Sequence, residues 1–205
     1  MRADKLRMEA VIFDLGGVLI ENPVHSIIRY CSDYLIADPE KLMQAHQRHA
    51  PAFQRGIISE SHYWKRICSD IDALEPDLLS LWGEAFRFSY RERAEIFLVA
   101  SELRKAGYKI GLLSDTEIPS MNFFLAQNYE HFEYPVFSCI EGATKPEPTI
   151  YQSALKKMKT NPEQTVFIDD LILNVEGARH LGMNGILFTG AKQLINELNG
   201  LGIRF

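Results

Sequence analysis

The sequence predicts an α/β fold, a doubly wound (Rossmann-like) parallel sheet with a helical cap inserted after strand 1. Two observations carry this expectation. Five short apolar runs, bounded by Gly, Asp and Ser and showing no alternation of apolar with polar residues, read as strands buried on both faces, as a parallel sheet requires. In the second half of the chain these runs alternate with segments of helical spacing, the pattern of a doubly wound core. A third observation places the insertion: from 22 to 90 the chain shows helical patterns and no buried strand.

Taken in order, the first run is "AVIFDLGG" at 10–17. Basic residues precede it, but Asp14 interrupts the apolar stretch and no small-residue cleavage site follows, so it reads as a strand and not as a signal peptide. Four helical patterns come next, "HSIIRYCSDYLI", "DPEKLMQAHQRH", "SESHYWKRICSDI" and "EPDLLSLWGEAF", with Asp38 before Pro39 and Ser59 before "ESHYW" as N-caps. They define a helical cap over 22–90, leaving 1–21 and 91–205 for the core. "RAEIFLVASELRKAG" returns to the core as a helix closing on Gly107, followed by strands "YKIGLLSD" (108–115) and "YPVFSC" (134–139). "PEPTIYQSALKKMK" is a helix with Pro146 and Pro148 in its first turn. "TVFIDD" (165–170) is a strand, "ILNVEGARHLG" a helix ending at Gly182, and "NGILF" (184–188) the last strand.

Composition sets bounds on function. At 205 residues, 46% hydrophobic and 24% charged, the chain can bury one full core and carry an insertion. A net charge of -5 with dispersed Lys and Arg gives no attraction for nucleic acid or an anionic membrane. The three cysteines, Cys31, Cys68 and Cys139, are odd in number and lack a CxxC pair, which indicates neither a disulfide framework nor a zinc site. That usage fits a reducing cytoplasm. No exposed apolar seam stands out from one that packs against the core, which leaves the oligomeric state undetermined by the sequence; a monomer or weak homodimer is the expectation adopted.

Three of the strands end on the same chemistry: Asp14 after "VIF", Ser114 and Asp115 after "IGLL", Asp169 and Asp170 after "TVFI". In an open α/β sheet ligands bind outside the carboxyl ends of the strands, so these groups converge on one crevice. Any one of them could merely cap a helix or shape a turn. Three carboxylates together repel and raise one another's pKa values unless a cation sits among them. Oxygen ligands without His or Cys suit Mg²⁺, which also accepts phosphate oxygens. Lys145, in "GATKPEPTIY", stands just before a helix and brings an ammonium to the same crevice. Lysine, hydroxyl and backbone N–H groups together make a phosphate cradle.

"FDLGGVL", "LLSDT", "GATKPEPTIYQSAL" and "FIDDLILNVEGARHLGMNGILF" resemble the four motifs of the haloacid dehalogenase-like hydrolase superfamily, in their usual order and spacing. The segment 22–90 matches the helical cap of its first subfamily. The "FDLG" opening and the phrase "FQRGIISESHYW" look most like the branch of α-D-glucose-1-phosphate phosphatases. The resemblance implies a Mg²⁺-dependent phosphatase for a small phosphorylated metabolite, a sugar phosphate favoured. Asp14 is then the nucleophile, forming an aspartyl-phosphate that water hydrolyses. Asp14, the backbone carbonyl of Gly16 and Asp170 hold Mg²⁺, with Asp169 acting through a water. Ser114, Asp115, Lys145 and the backbone near Gly16 and Gly17 form the phosphate site.

Two departures from the family pattern stand out. Gly16 replaces the usual second Asp, which protonates the leaving oxygen. Glu21, His25 and Asp115 are the candidate substitutes, with Glu21 preferred because it follows strand 1 where the chain enters the cap. Asp115 stands where many relatives have Asn, and is expected to face away from the phosphate or to cap the next helix. In the cap, His25, Arg55, His62, Tyr63 and Trp64 are candidates for reading the substrate, although their helical spacing equally suits packing or surface positions. Arg91 and Arg93 read as solvated helix-start residues. Two other functions compete. Gly16 fits a catalytically weak or inactive module that binds a phosphate ligand or a protein. A 2-haloacid dehalogenase attacks carbon without a metal, and the "FIDD" pair argues against it.

Overall fold

The computed structural model describes residues 7–205, so the basic lead at 1–6 lies outside the described residues. Five parallel strands form one sheet: β1 (Ala10–Phe13), β2 (Lys109–Ser114), β3 (Tyr134–Phe137), β4 (Thr165–Asp169) and β5 (Asn184–Leu187), in the order β3-β2-β1-β4-β5. Ten α-helices are described: α1 (Val24–Leu35), α2 (Pro39–Gln54), α3 (Glu60–Ile71) and α4 (Leu81–Ser89), then α5 (Ala94–Lys105), α6 (Ile118–Ala126), the short α7 (Ser138–Glu141), α8 (Pro148–Met158), α9 (Ile172–His180) and α10 (Ala191–Gly200). This is the α/β architecture expected.

The strands are buried because both of their faces are covered. Val11 and Phe13 pack with Ile110, Leu112, Val166 and Ile168 on one side, and Ala10 and Ile12 with Leu113 and Phe167 on the other. Successive side chains of a strand point to opposite faces, so two buried faces need a continuous apolar run. β1 is central, with Phe13 level with Leu112 of β2 and Ile168 of β4. After β1 and β2 the chain moves outward to β3, then returns to the far side of β1 for β4. That reversal leaves a crevice at the carboxyl ends of β1, β2 and β4, the place where open α/β sheets bind ligands.

Local capping sets most helix bounds. Asp38 accepts the backbone N–H groups of Glu40 (2.8 Å) and Lys41 (3.4 Å) at the start of α2, and Ser59 accepts that of His62 (3.3 Å) at the start of α3. Helix α2 runs on through Pro51 to Gln54, beyond the expected pattern. The fourth pattern is corrected: residues 75–80 are not helical, and α4 begins only at Leu81. Ser80 accepts the Gly83 N–H there (3.0 Å), while the Glu60 carboxylate accepts the Trp82 N–H (2.7 Å) and the Ser80 hydroxyl (2.7 Å). Leu78 and Leu79 are exposed and so supply no buried face for an earlier start. A second correction concerns α8, whose first residue is Pro148, leaving Pro146 outside the helix.

The turn between α2 and α3 docks on α7, just after β3. Gly56 has φ +67° there, and a Cβ on it would stand 2.3 Å from the Cys139 carbonyl oxygen. Gly142 has a similar φ of +71° with no atom within 4 Å of such a Cβ. Left-handed backbone costs an alanine about 1 to 2 kcal/mol, so Gly142→Ala loses that much stability. Gly56→Ala loses more, because the turn must also lift off the core. Urea midpoints of the two variants at matched slope check the ranking.

Candidate active site

The strand ends deliver the polar groups. Asp14 follows β1 with its N–H bonded to the Ile168 carbonyl (2.9 Å), Ser114 closes β2, and Asp169 closes β4. All three are buried. The Lys145 ammonium stands between two of them, 2.7 Å from Asp14 Oδ1 and 2.7 Å from Asp169 Oδ2, with its side chain only 2% exposed. Burial alone would lower its pKa, but the charges of Asp14, Asp169 and Asp115 outweigh that and hold it above the ordinary range. Burial pushes the Asp14 carboxyl up from 3.8, Lys145 pulls it back, and Asp169 pushes it up further.

Asp169 has every oxygen occupied. Oδ1 accepts the Leu171 N–H (2.8 Å) and the Asn174 amide (3.0 Å), and Oδ2 accepts that amide (3.1 Å) as well as Lys145. Asp170 is different: half-buried, it forms no ion pair among the described residues, and burial followed by the Asp169 charge raises its pKa. Its carboxylate lies over Gly17, where a Cβ would come within 2.1 Å of Oδ2 and where φ is +86°. A side chain at 17 would therefore displace Asp170.

Oxygens of Asp14, Asp169 and Asp170 lie within 4.8 Å of one another. Three carboxylates face one ammonium, an excess of negative charge in a low-dielectric pocket. The donor set is all oxygen, and Asp170 still has its lone pairs free of any side-chain donor. These residues fit a hard divalent cation such as Mg²⁺.

A crevice of about 290 Å³ opens above them, at the lower end of the ~300–1,000 Å³ usual for small-molecule sites. Asp14, Gly16, Ser114, Asp115, Lys145 and Asp170 line its floor. Asp115 corrects the expectation made for it. It neither faces away nor caps a helix: its Oδ1 accepts the Lys145 backbone N–H (3.0 Å) and so fixes the loop that carries the lysine. Gly17 is also corrected, since it does not line the crevice and its N–H is bonded to the Ile20 carbonyl (2.9 Å). The tight turn of 15–20 takes that donor away from any ligand.

Glu21 is a third correction. It is exposed and does not line the crevice, and its backbone N–H pairs with the Arg91 carbonyl. His25 and His62 are exposed and outside the wall too. Arg55 instead binds Glu147 (3.0 and 2.5 Å), tying the α2–α3 turn to the loop before α8. Tyr63 and Trp64 are packed among aromatic rings of the helical segment. Arg91 binds the Phe88 and Tyr90 carbonyls, and Arg93 stacks its guanidinium 6.0 Å from the Phe188 ring.

The upper wall was not foreseen. His46, Gln54, Trp82, Phe86 and Ile27 from the helical segment, with Thr116 and Glu117 from the β2–α6 loop, complete it. Glu117 is buried and its pKa is raised by that burial, while Trp82 Nε1 (3.0 Å) and the Ser120 hydroxyl (3.2 Å) donate to its Oε2. His46 lies flat on Trp82, centroids 5.1 Å apart at 19°, and burial holds its pKa down at about 4. The buried Tyr63 hydroxyl has His46 Nδ1 as its hydrogen-bond partner (2.9 Å). The "DDLILN" spacing, with Asn174 in the first turn of a helix, was the available sign of that residue's role.

A family model for haloacid dehalogenase-like hydrolases matches residues 8–182. The chain is 28% identical over 200 residues to the sesquiterpene phosphatase astK of Aspergillus oryzae, covering 94% of this chain and 96% of that one. It is 27% identical over 202 residues to mouse acyl-CoA dehydrogenase family member 10, of which it spans 19% of the length. Among solved structures, the magnesium complex of the Bacteroides thetaiotaomicron HAD family enzyme bt-2542 superposes with a TM-score of 0.75 at 20% identity, covering 89% of this chain and 93% of that one. With the match extending over all three strand-end carboxylates and Lys145, the chain belongs to the haloacid dehalogenase-like hydrolase family.

Proposed function

We propose that this protein is a Mg²⁺-dependent phosphatase acting on a small phosphorylated metabolite, with a sugar phosphate favoured. One observation carries the reading: the Lys145 ammonium is shared by Asp14 and Asp169 at 2.7 Å each, beside the unpaired Asp170. Asp14 attacks phosphorus, the bond to the leaving oxygen breaks, and an aspartyl-phosphate forms. Water then attacks that phosphorus, restoring the Asp14 carboxylate and releasing inorganic phosphate.

The protein's own groups supply position and charge. Lys145 orients Asp14 and, with the Ser114 hydroxyl and the Gly16 N–H, offsets the charge of the phosphoryl oxygens. Asp14, the Gly16 carbonyl and Asp170 would hold the cation, and Asp169, whose oxygens are already occupied, would reach it through water. When bound, Mg²⁺ draws the dianionic ester against the acidic floor and stabilises charge on the transferring group. The helical segment 22–90 serves as the cap that keeps bulk water from the reaction. The relatives that are named phosphatases support the reaction class, and the bt-2542 magnesium complex supports the metal. We place the enzyme in the cytoplasm, in accord with its three free thiols and with the lack, among the described residues, of a helix long and apolar enough to cross a membrane.

Phosphate release from p-nitrophenyl phosphate and sugar phosphates tests the reading. Turnover requires Mg²⁺, stops with EDTA, and falls by at least about 10³-fold in Asp14→Asn, whose amide is a poor nucleophile. Activity equal to that of the Asp14→Asn protein on every ester rejects it in favour of a binding role.

Gly16 makes a second expectation. General acid catalysis is worth about 10² to 10⁴-fold, so without it kcat/KM falls steeply as the leaving group becomes more basic. Anomeric phosphates, whose leaving oxygen is the less basic, turn over faster than alkyl esters. A Cβ at 16 would touch only Pro23 Cδ at 3.6 Å, an ordinary contact. Gly16→Asp therefore meets no clash at its Cβ, and it is expected to flatten the dependence, read as a slope of log kcat/KM against leaving-group pKa.

Metal binding carries a pH signature. Because the Asp14 pKa is raised in the fold, the native protein keeps a proton that the unfolded chain has released above 3.8, and this group's contribution to stability falls as pH rises. Asp14 would have to give up that proton to serve as a ligand of a divalent cation. The rise in Tm caused by Mg²⁺ is accordingly larger at pH 7.5 than at pH 5, as thermal unfolding with and without the ion checks.

A further inference from the structure

We propose that the crevice selects phosphate monoesters whose leaving group carries no second negative charge, and that Glu117 enforces the selection; the proposal rests on the phosphatase reading above. Among the described residues, the only basic side chains on the wall are Lys145 and His46. Lys145 is already held at 2.7 Å by two carboxylates, and burial keeps His46 neutral down to about 4. Arg55, an arginine of the helical segment, lies outside the wall and is bound to Glu147. The start of α1 abuts the crevice at Asn22, but the Asn22 side chain itself accepts the Val24 N–H (3.2 Å). Among the described residues lining the crevice, none offers a further cationic side chain to a second phosphate or carboxylate.

Glu117 adds repulsion to that lack. It lies three residues beyond Ser114, on the wall that a leaving group must face. The Trp82 indole N–H can only donate, and the Ser120 and Gln54 side chains also bond to the Glu117 carboxylate. Burial raises the Glu117 pKa, and these donors act against that rise, favour the ionised form and hold the carboxylate in place. An anion seated against it would be desolvated beside a like charge, whereas a hydroxyl or an ammonium finds an acceptor. The neutral His46 ring supplies a nitrogen able to hydrogen-bond a hydroxyl on the same wall, and the Trp82 and Phe86 rings supply apolar surface. A small hydroxylated leaving group meets all of these needs.

The test compares esters that differ by one anion: glycerol 2-phosphate with 2-phosphoglycerate, and fructose 6-phosphate with fructose 1,6-bisphosphate, with p-nitrophenyl phosphate as reference and Mg²⁺ present throughout. The anionic member of each pair is expected to show kcat/KM lower by about tenfold or more, mainly through KM. Glu117→Gln keeps the shape, removes the charge, and narrows each ratio severalfold. Equal kcat/KM within both pairs, while p-nitrophenyl phosphate is hydrolysed, overturns the selection and leaves the phosphatase reading intact. Ratios that persist unchanged in Glu117→Gln overturn the part given to Glu117. Release from none of the esters overturns the phosphatase reading itself, and this proposal with it.

Discussion

The site is organised around one buried ammonium. Lys145 is taken almost completely out of water, which is tolerable only because Asp14 and Asp169 each lie 2.7 Å from its nitrogen. Removing one partner from such a buried pair costs about 3 to 5 kcal/mol, since it leaves a charge without compensation. The arrangement is nevertheless incomplete in charge. Asp170 adds a third carboxylate within 4.8 Å of the other two and has no ion pair of its own among the described residues. The fold thus tolerates an excess of negative charge at one point, and that excess is what makes the point attractive to a cation and, through the cation, to an anionic ester.

Backbone geometry makes this concentration of charge possible. Parallel strands β1, β2 and β4 all run toward the same edge, so one residue past a buried run is enough to bring Asp14, Ser114 and Asp169 together. The remaining precision comes from hydrogen bonds that second residues make. Asp115 holds the Lys145 backbone at 3.0 Å, Asn174 holds both oxygens of Asp169, and Gly17 clears the space that Asp170 occupies. The helical segment is joined to this floor through particular bonds as well. Ser138 donates to the Gln54 carbonyl (2.7 Å) and accepts the Thr116 N–H (2.8 Å), which ties the end of α2, the start of α7 and the β2–α6 loop at one hydroxyl.

What the sequence disclosed follows from what periodicity can encode. Strand-end acids are legible because an acid that closes a continuous apolar run has no place in the core and must project from the sheet edge. Asp14, Ser114, Asp115, Asp169 and Asp170 were visible in that way, and Lys145 through its prolines. His46, Trp82 and Phe86 were not, because on an amphipathic helix a residue that faces a cavity has the same spacing as one that faces the core. Glu117 was hidden for a related reason: in "SDTEIPS" it reads as the polar lead into a helix, and only the folded chain brings Trp82 to it from 35 positions away. Glu21 misled because nearness to strand 1 along the chain says nothing of direction. Asp115 misled because its acceptor role is met by a backbone N–H thirty residues on. The late start of α4 depends on Glu60, a capping partner from another helix, which no local pattern records.

Gly16 brings these threads to one point. Glycine is required where φ is positive or where a Cβ would collide, and Gly17 next door satisfies both conditions. Gly16 satisfies neither: it is not among the positive-φ residues, and a Cβ there would meet only Pro23 Cδ at ordinary contact distance. Packing therefore does not impose the missing side chain. Its absence leaves the crevice floor wider directly beside Asp14, and it spares the floor a fourth carboxylate among Asp14, Asp169 and Asp170, where every added charge weakens binding of an anionic ester. A site without that acid gives up proton transfer to the leaving oxygen, and the leaving group must then depart on its own stability. The same substitution thus relieves charge on the floor and narrows the chemistry to good leaving groups, while the acidic and aromatic wall above narrows it to uncharged ones.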